Sequence, residues 1–432
     1  MGRGSRWPRL GWWLAGVLTL SSPSLLRAAE ASDAPKPTPK TSPFVDESAA
    51  GRQPGEGPAE PAAASPPLGN GQAACDCSDF AGPSGRVWVR SDYRAAWTKA
   101  QRVPVLAASD LAGTVPLFGG ERVDVGMHDG IQITLGAWLD NCHRWALEGD
   151  YWDLRQEAAR FHSGLVSGNQ TLTRPFLDVQ PDQQRIVPDA FPVAVPNQLA
   201  GQLDIDLTTS FQSAGLHVRR NLWSENWECA YGTAAGGQRP WGFRLDGTAG
   251  YRLYRLIDRL TIRQQSVVVD FPPLTAGDNL SFEDMFKTVN EFQGAEIGLI
   301  GQVFRGRWSA KVSGTMAMGG NHRIVNIRGV SSLAETNFPG GLLAEPSNVG
   351  HYTRNQFTVI PELGVEIGYA LRPNLRTSVG YDVLYWNKVA RAGEQVDPRI
   401  NLADPVAGPP QFSFNESSFW VQGLRLGLEL RY

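Results

Sequence analysis

Charged residues recur at alternate positions in several stretches of the chain, and that spacing decides what chemistry they can do. Arg244, Asp246 and Arg252, then Glu362 and Glu366, then Arg376 and Asp382, then Arg425, Glu429 and Arg431 each lie opposite a run of apolar residues. Side chains at even spacing on a strand share a face, so each set lines one surface. Their signs are mixed. A ring of one sign would select ions, whereas interspersed signs suit either a wet pore with a transverse field or a network of ion pairs that closes an interior; the network is the preferred reading. Catalytic alternatives find little support. The sequence holds no Gly-x-Ser-x-Gly, no His-Glu-x-x-His, no phosphate-binding Gly-x-x-x-x-Gly-Lys and no calcium-loop pattern. His143, His217 and His322 stand in separate segments, so a membrane hydrolase assembled from Ser, His and an acid through tertiary structure is the least favoured reading. Cys75-Asp76-Cys77 lacks two further ligands at zinc spacing, and neither a metal nor a cofactor is expected. Cys142 and Cys229 either pair or stay free.

The elements that carry these charges read as strands. In the last segment Trp420, Leu424, Leu426, Leu428, Leu430 and Tyr432 occupy one face, against Val421, Gly423, Arg425, Gly427, Glu429 and Arg431. The alternation recurs from Leu375 to Tyr385, from Phe357 to Leu371 and from Trp241 to Leu253, with the charged residues named above on the other face. Leu203, Ile205, Leu207 and Phe211 oppose Asp204, Asp206 and Thr208 in the same manner, and one rule is applied to all five segments. Several runs exceed an ordinary strand and match the ~9 to 11 residues that cross a bilayer obliquely.

Tight connections at Asp140-Asn141-Cys142, Ile257-Asp258, Arg305-Gly306 and Arg372-Pro373-Asn374 alternate with long ones at Asp270–Phe286, Gly329–Arg354 and Ala392–Ser417. Short periplasmic turns and long external loops are the habit of outer-membrane barrels. The fold class is therefore all-β, a transmembrane antiparallel up-and-down barrel of about twelve strands, within roughly 10 to 14. Strands near 86–97, 131–139, 144–154, 203–222, 240–256, 259–269, 285–304, 307–327, 355–371, 374–390 and 417–432 need one more for parity, supplied by Trp227–Gly232 or Thr173–Val179. Trp138, Trp145, Tyr151, Trp223, Trp227, Trp241, Trp308, Tyr385, Trp386 and Trp420 fall near strand ends or turns, where amphipathic rings suit the headgroup level.

The ends and the composition agree with export. Arg3, Arg6 and Arg9 precede an apolar run from Leu10 to Leu20 that Ser21, Ser22, Pro23 and Ser24 cut short, and small residues follow at Ala28 and Ala29. Residues 1–29 read as a cleaved signal peptide. Residues 30–85, rich in Pro, Ala and Gly, read as a linker without a core, and residues 86–432 as the barrel. With 40 Lys+Arg against 43 Asp+Glu, no basic excess exists to bind nucleic acid.

Residues 86 to 432 also resemble the putative beta-barrel porin family 7, predicted outer-membrane proteins of planctomycete bacteria. The likeness runs through Trp88, Tyr93, Trp97 and Pro104-Val105-Leu106, then Phe118-Gly119-Gly120, Gly130 to Leu139, Trp145, Glu148, Tyr151 and Arg174-Pro175-Phe176. It continues in Gly250-Tyr251-Arg252 and the stretch Asp284 to Glu296 with Phe286, Asn290, Phe292 and Gly294, whereas Trp223 to Arg239 is longer than the family's connection. The resemblance implies a barrel and supplies no catalytic residues. The functional expectation is a non-enzymatic porin-like channel in the cell outer membrane, passing small hydrophilic solutes by diffusion. The alternative is a structural or adhesion protein that displays long loops on a closed barrel. Expected partners are outer-membrane lipid, the solutes if the lumen is open, and the barrel-assembly machinery, which would recognise Leu424, Leu426, Leu428, Leu430 and Tyr432. Leu426→Arg, on the lipid face, is expected to impair insertion more than Gly427→Arg in a wet lumen.

Overall fold

The computed structural model describes residues 85–166, 170–180, 185–226, 241–404, 406 and 408–432. The expected signal peptide, the linker as far as residue 84 and Trp227–Gly232 lie outside these residues. Ten antiparallel strands form the wall: β1 Val87–Thr98, β2 Met127–Trp138, β3 Trp145–His162, β4 Leu199–Asn226, β5 Trp241–Val268, β6 Asn279–Arg305, β7 Trp308–Leu333, β8 Gly350–Arg372, β9 Leu375–Val389 and β10 Ser417–Arg431. Each strand pairs with the next, and β10 returns to β1 in unbroken register from Trp88 opposite Arg431 to Thr98 opposite Val421. Lipid offers the backbone no hydrogen-bond partner, so closure is what lets these strands sit in a bilayer.

Among the described residues the ring has ten strands, at the lower end of the expected 10 to 14 and two fewer than the central count. The expected turn at Ile257-Asp258 is the source of the difference. β5 runs straight through it for 28 residues because Asp258 points inward, fully buried, and accepts a hydrogen bond from the Thr209 hydroxyl at 2.7 Å. With 240–256 and 259–269 fused, parity needs no added strand. Thr173–Val179 belongs instead to a hairpin, Leu172–Gln180 with Arg185–Ala194, which forms a separate small sheet with Ala107–Ala108, Pro116–Phe118 and Arg399–Ile400. Trp223 to Asn226 completes β4. Strands also claim the flanks of two of the expected long loops, which shrink to 269–278 and 334–349, while the third spans 390–416.

β4 to β7 are 26 to 28 residues long, more than twice what a crossing needs, and their faces change chemistry along their length. On the half of β5 nearer the chain termini, Trp241, Tyr251 and Leu253 face outward and Arg244, Asp246 and Arg252 inward. Beyond Tyr254 the order reverses: Leu256, Leu260 and Ile262 are buried inside, and Arg255, Arg259 and Arg263 face out. Segment 203–211 of β4 lies wholly in the reversed half. Leu203, Ile205 and Leu207 are therefore core residues, and Asp206 lies outside, 3.3 Å from Arg160. The one rule applied to five segments holds for four, because the fifth stands above the apolar band, where water and not lipid is the solvent.

Outward aromatics mark both edges of that band. Trp145, Trp223, Trp241, Trp308 and Tyr432 lie toward the termini; Trp97, Tyr151, Phe357 and Tyr385 lie toward the loops. Two of the expected girdle residues do not belong: Trp138 is 7% exposed and Trp386 0%, and both point inward. Above the band the inner wall packs against the folded-in loops, with Leu203, Ile205, Ile262, Phe282 and Phe286 meeting Leu106, Phe176, Phe191, Leu342 and Leu343 in one core. A charge in mid-band should cost about 2–4 kcal/mol, and one above it close to nothing. Leu299→Arg should therefore lower the urea midpoint of the barrel refolded in vesicles, whereas Val267→Arg, on an outward site above the band, should leave it unchanged within about 0.5 kcal/mol.

Candidate functional site: the barrel interior

The inward faces of the lower strands carry a dense ion-pair network. Arg90 reaches across the ring to Glu366 at 3.0 Å and grips Asp92 through Nε and Nη2. Glu366 also receives Arg425 and Lys311, each at 3.0 Å, while Arg94 spans to Asp382 at 3.0 Å. On the opposite wall Arg252 bridges Asp150 at 2.6 Å and Glu296 at 2.8 Å, and His217 Nε2 lies 2.8 Å from Glu296. Asp246 receives both Arg244 and Arg219, and Arg431 meets Glu429 at 2.7 Å. Glu362 accepts from the Tyr254 hydroxyl at 3.2 Å, and Arg376 lies over the Phe304 ring, 5.7 Å from its centroid. All ten charged residues singled out in the sequence thus have a defined place.

Sequence reasoning missed Arg90, Asp92 and Arg94 on β1, although their alternation between Trp88 and Trp97 was the available signal. It also missed Asp150, Glu296 and Lys311, whose strands were recognised but whose faces were not read.

The network leaves a cavity of about 170 Å³, lined among others by Trp88, Trp138, Arg252, Glu366 and Arg376. Its packing depends on inward glycines that give long side chains room. A Cβ at Gly427 would lie 2.3 Å from Asp92 Oδ1 and 2.6 Å from Ser378 Oγ; one at Gly368 would lie 2.5 Å from Arg376 Nε. A side chain at position 427 would therefore have to displace the ends of Asp92 and Ser378, which the expected comparison with Leu426→Arg did not take into account.

Toward the loops an aromatic layer ends the cavity. Phe211 of β4 and Phe419 of β10 stack across the ring at 5.7 Å, and Tyr254 of β5 meets Trp386 of β9 at 6.1 Å, with Trp152 and Phe292 beside them. All six are between 0% and 3% exposed. Above the layer the chain after β9 folds into the barrel. Ala390 exchanges two hydrogen bonds of 2.8 Å with the Asn290 side chain, Arg391 donates to Asp258 at 2.6 Å, and Gly393 N–H donates to Gln101 at 3.2 Å. Below, at the terminus end, Cys142 is disulfide-bonded; Cys75, Cys77 and Cys229 lie outside the described residues.

The sequence model of the family described as Putative beta barrel porin-7 (BBP7) matches residues 88–432. No curated protein matches the chain. Among solved structures, the outer membrane protease OmpT from Escherichia coli is 10% identical with a TM-score of 0.40, the alignment covering 82% of this chain and 100% of that one. The Pseudomonas putida toluene transporter TodX is 9% identical with a TM-score of 0.21, covering 83% and 94% respectively.

Removing one partner from a buried ion pair leaves the other charge without compensation, at a cost of about 3–5 kcal/mol. Glu366→Gln, which strips the shared acceptor from Arg90, Arg425 and Lys311, should cause a loss of that size in urea unfolding. Breaking the exposed pair with Arg160→Ala should cost less than about 1 kcal/mol.

Proposed function

We propose that this chain, which belongs to the Putative beta barrel porin-7 family, is a non-enzymatic outer-membrane barrel whose lumen is closed and whose long strands hold a folded platform of loops on the outer side. The observation that carries this reading is the ring contact across the lumen: Phe211 on Phe419 and Tyr254 on Trp386 join strands that are not neighbours, and each of the four rings is between 0% and 2% exposed. Diffusion of a hydrophilic solute needs a continuous wet route, and desolvating it against stacked aromatics is unfavourable. The inserted segment from Ala390 to Gly393 adds a second seal, anchored by the buried Arg391–Asp258 pair.

The reading favours the display alternative over the porin-like channel. The loops are not slack in this view. They share one apolar core with the upper wall, which is how a binding surface is held rigid. Outer-membrane lipid is the solvent of the band, and the closing strand, with Leu424, Leu426 and Leu428 exposed on its outer face, is the segment offered to the assembly machinery.

Conductance in a planar bilayer tests the proposal, using protein verified as a folded, heat-modifiable barrel. A closed lumen gives a silent membrane at any applied voltage. Discrete, reproducible steps from the folded barrel would restore the diffusion channel and require the aromatic layer to part.

A further inference from the structure

Three arginines on the outer surface of the barrel rest on aromatic rings, and all three stand at the same edge of the apolar band. Arg220 of β4 lies over Trp145, its register partner on β3, 5.0 Å from the ring centroid. Arg305 of β6 covers Trp241, its partner on β5, at 4.9 Å. Arg307, in the turn between β6 and β7, sits 5.8 Å from the Tyr369 ring of β8, which itself meets Trp308 at 4.8 Å. All three arginines are exposed. Arg220 continues the outward face of Leu216 and Val218, and Arg305 that of Ile297 and Leu299, so the lipid-facing stripe of each strand ends, toward the chain termini, in a guanidinium placed on a ring.

The opposite edge is built otherwise. There exposed arginines stand beside acids: Arg160 is 3.3 Å from Asp206, Arg255 is 3.2 Å from Glu291, and Arg354, over the Phe414 ring at 4.9 Å, is 3.5 Å from Glu416. At the terminus edge Arg86, Arg144 and Arg372 are exposed as well, which makes six arginines against two acids, Asp140 and Glu225, on the same rim among the described residues. Asp140 accepts from the Arg144 and Trp145 backbone N–H groups at 2.7 and 3.1 Å, and Glu225 is half-buried opposite Phe243. One edge mixes its signs; the other carries a positive excess.

A ring beneath a guanidinium fixes its position and leaves its N–H edge to meet the oxygens of a phosphate. Arg307 is held further by Leu371 O, which accepts from Nη2 at 3.2 Å, and each Nη keeps a second N–H. Where an apolar band gives way to a polar rim, the phosphate on offer is that of a lipid headgroup. A positive rim favours a headgroup of net negative charge over a zwitterionic one, whose ammonium cancels its phosphate. We propose that Arg220, Arg305 and Arg307, each with its ring, are binding sites for anionic phospholipid in the leaflet on the terminus side. The proposal rests on the reading of the apolar band as the surface that faces the bilayer.

Tryptophan quenching in vesicles tests it, because Trp145, Trp241 and Trp308 stand at the three sites. The barrel, verified as folded and heat-modifiable, is refolded into vesicles of phosphatidylcholine and phosphatidylglycerol in which one lipid or the other is brominated on its acyl chains. Phosphatidylglycerol should win the quenching sites by about fivefold, and by less at high salt. The triple variant Arg220→Gln, Arg305→Gln, Arg307→Gln should be quenched alike by both lipids, whereas Arg160→Gln with Arg255→Gln at the opposite edge should keep the parent's preference. Equal quenching of the parent by the two lipids would overturn the proposal while leaving the barrel in its bilayer, and would turn the excess charge toward an acidic partner in water. An undiminished preference in the triple variant would overturn it as well. Quenching by neither lipid would remove the bilayer from around the band, and both readings with it. Should the triple variant fail to insert, the single variants decide: a preference unchanged in all three is equally fatal.

Discussion

A strand that passes from lipid into water must exchange the chemistry of its two faces while its geometry stays the same. Side chains alternate every residue whatever the solvent, so the exchange has to be written in residue types and cannot be made by the backbone. β5 makes it between Arg252 and Leu256, turning from charge-inside to oil-inside within four residues. The rest of the molecule follows from that transition. Below it lies an inverted barrel whose polar side chains must satisfy one another; above it stands an ordinary protein core whose wall needs loops to cover its apolar inner face. The aromatic layer sits at the boundary, where neither rule alone fills the space.

The transition also explains what could be read from the sequence. Period-two alternation gave the strands, the tight connections at 140–142, 305–306 and 372–374, and the closure of the last strand on the first. Nothing in the alternation says which solvent a given face meets. Segment 203–211 and segment 375–385 look alike by pattern, yet Leu207 is buried in a core and Val379 is exposed to lipid. Ile257-Asp258 misled for a related reason. A charged residue beside a polar run resembles a turn until the partner that buries it, Thr209 or Arg391, is known from elsewhere in the chain.

Family membership and geometry pull in different directions on function. The family description speaks of a porin, which fits the ring, its apolar band and its polar lower chamber. The filled interior speaks of a plugged support. Both are consistent with a barrel whose inward residues hold the wall together: Arg94–Asp382 and Arg252–Asp150 each tie strands two places apart and Arg90–Glu366 strands three places apart, and glycines such as Gly427 give them room.

Those ties have a kinetic side. Arg90 and Glu366 are separated by 276 residues, and they cannot meet until all ten strands have been laid down and the first has found the last. Contacts so distant in sequence are slow to form and reward the chain only at the end of folding. Until then the inward charges must stay hydrated, so a half-built sheet cannot sink into the bilayer with its interior exposed to lipid. A slip of one strand by one residue would turn that strand's inward charges outward, into hydrocarbon, so the ion pairs reward only the correct register.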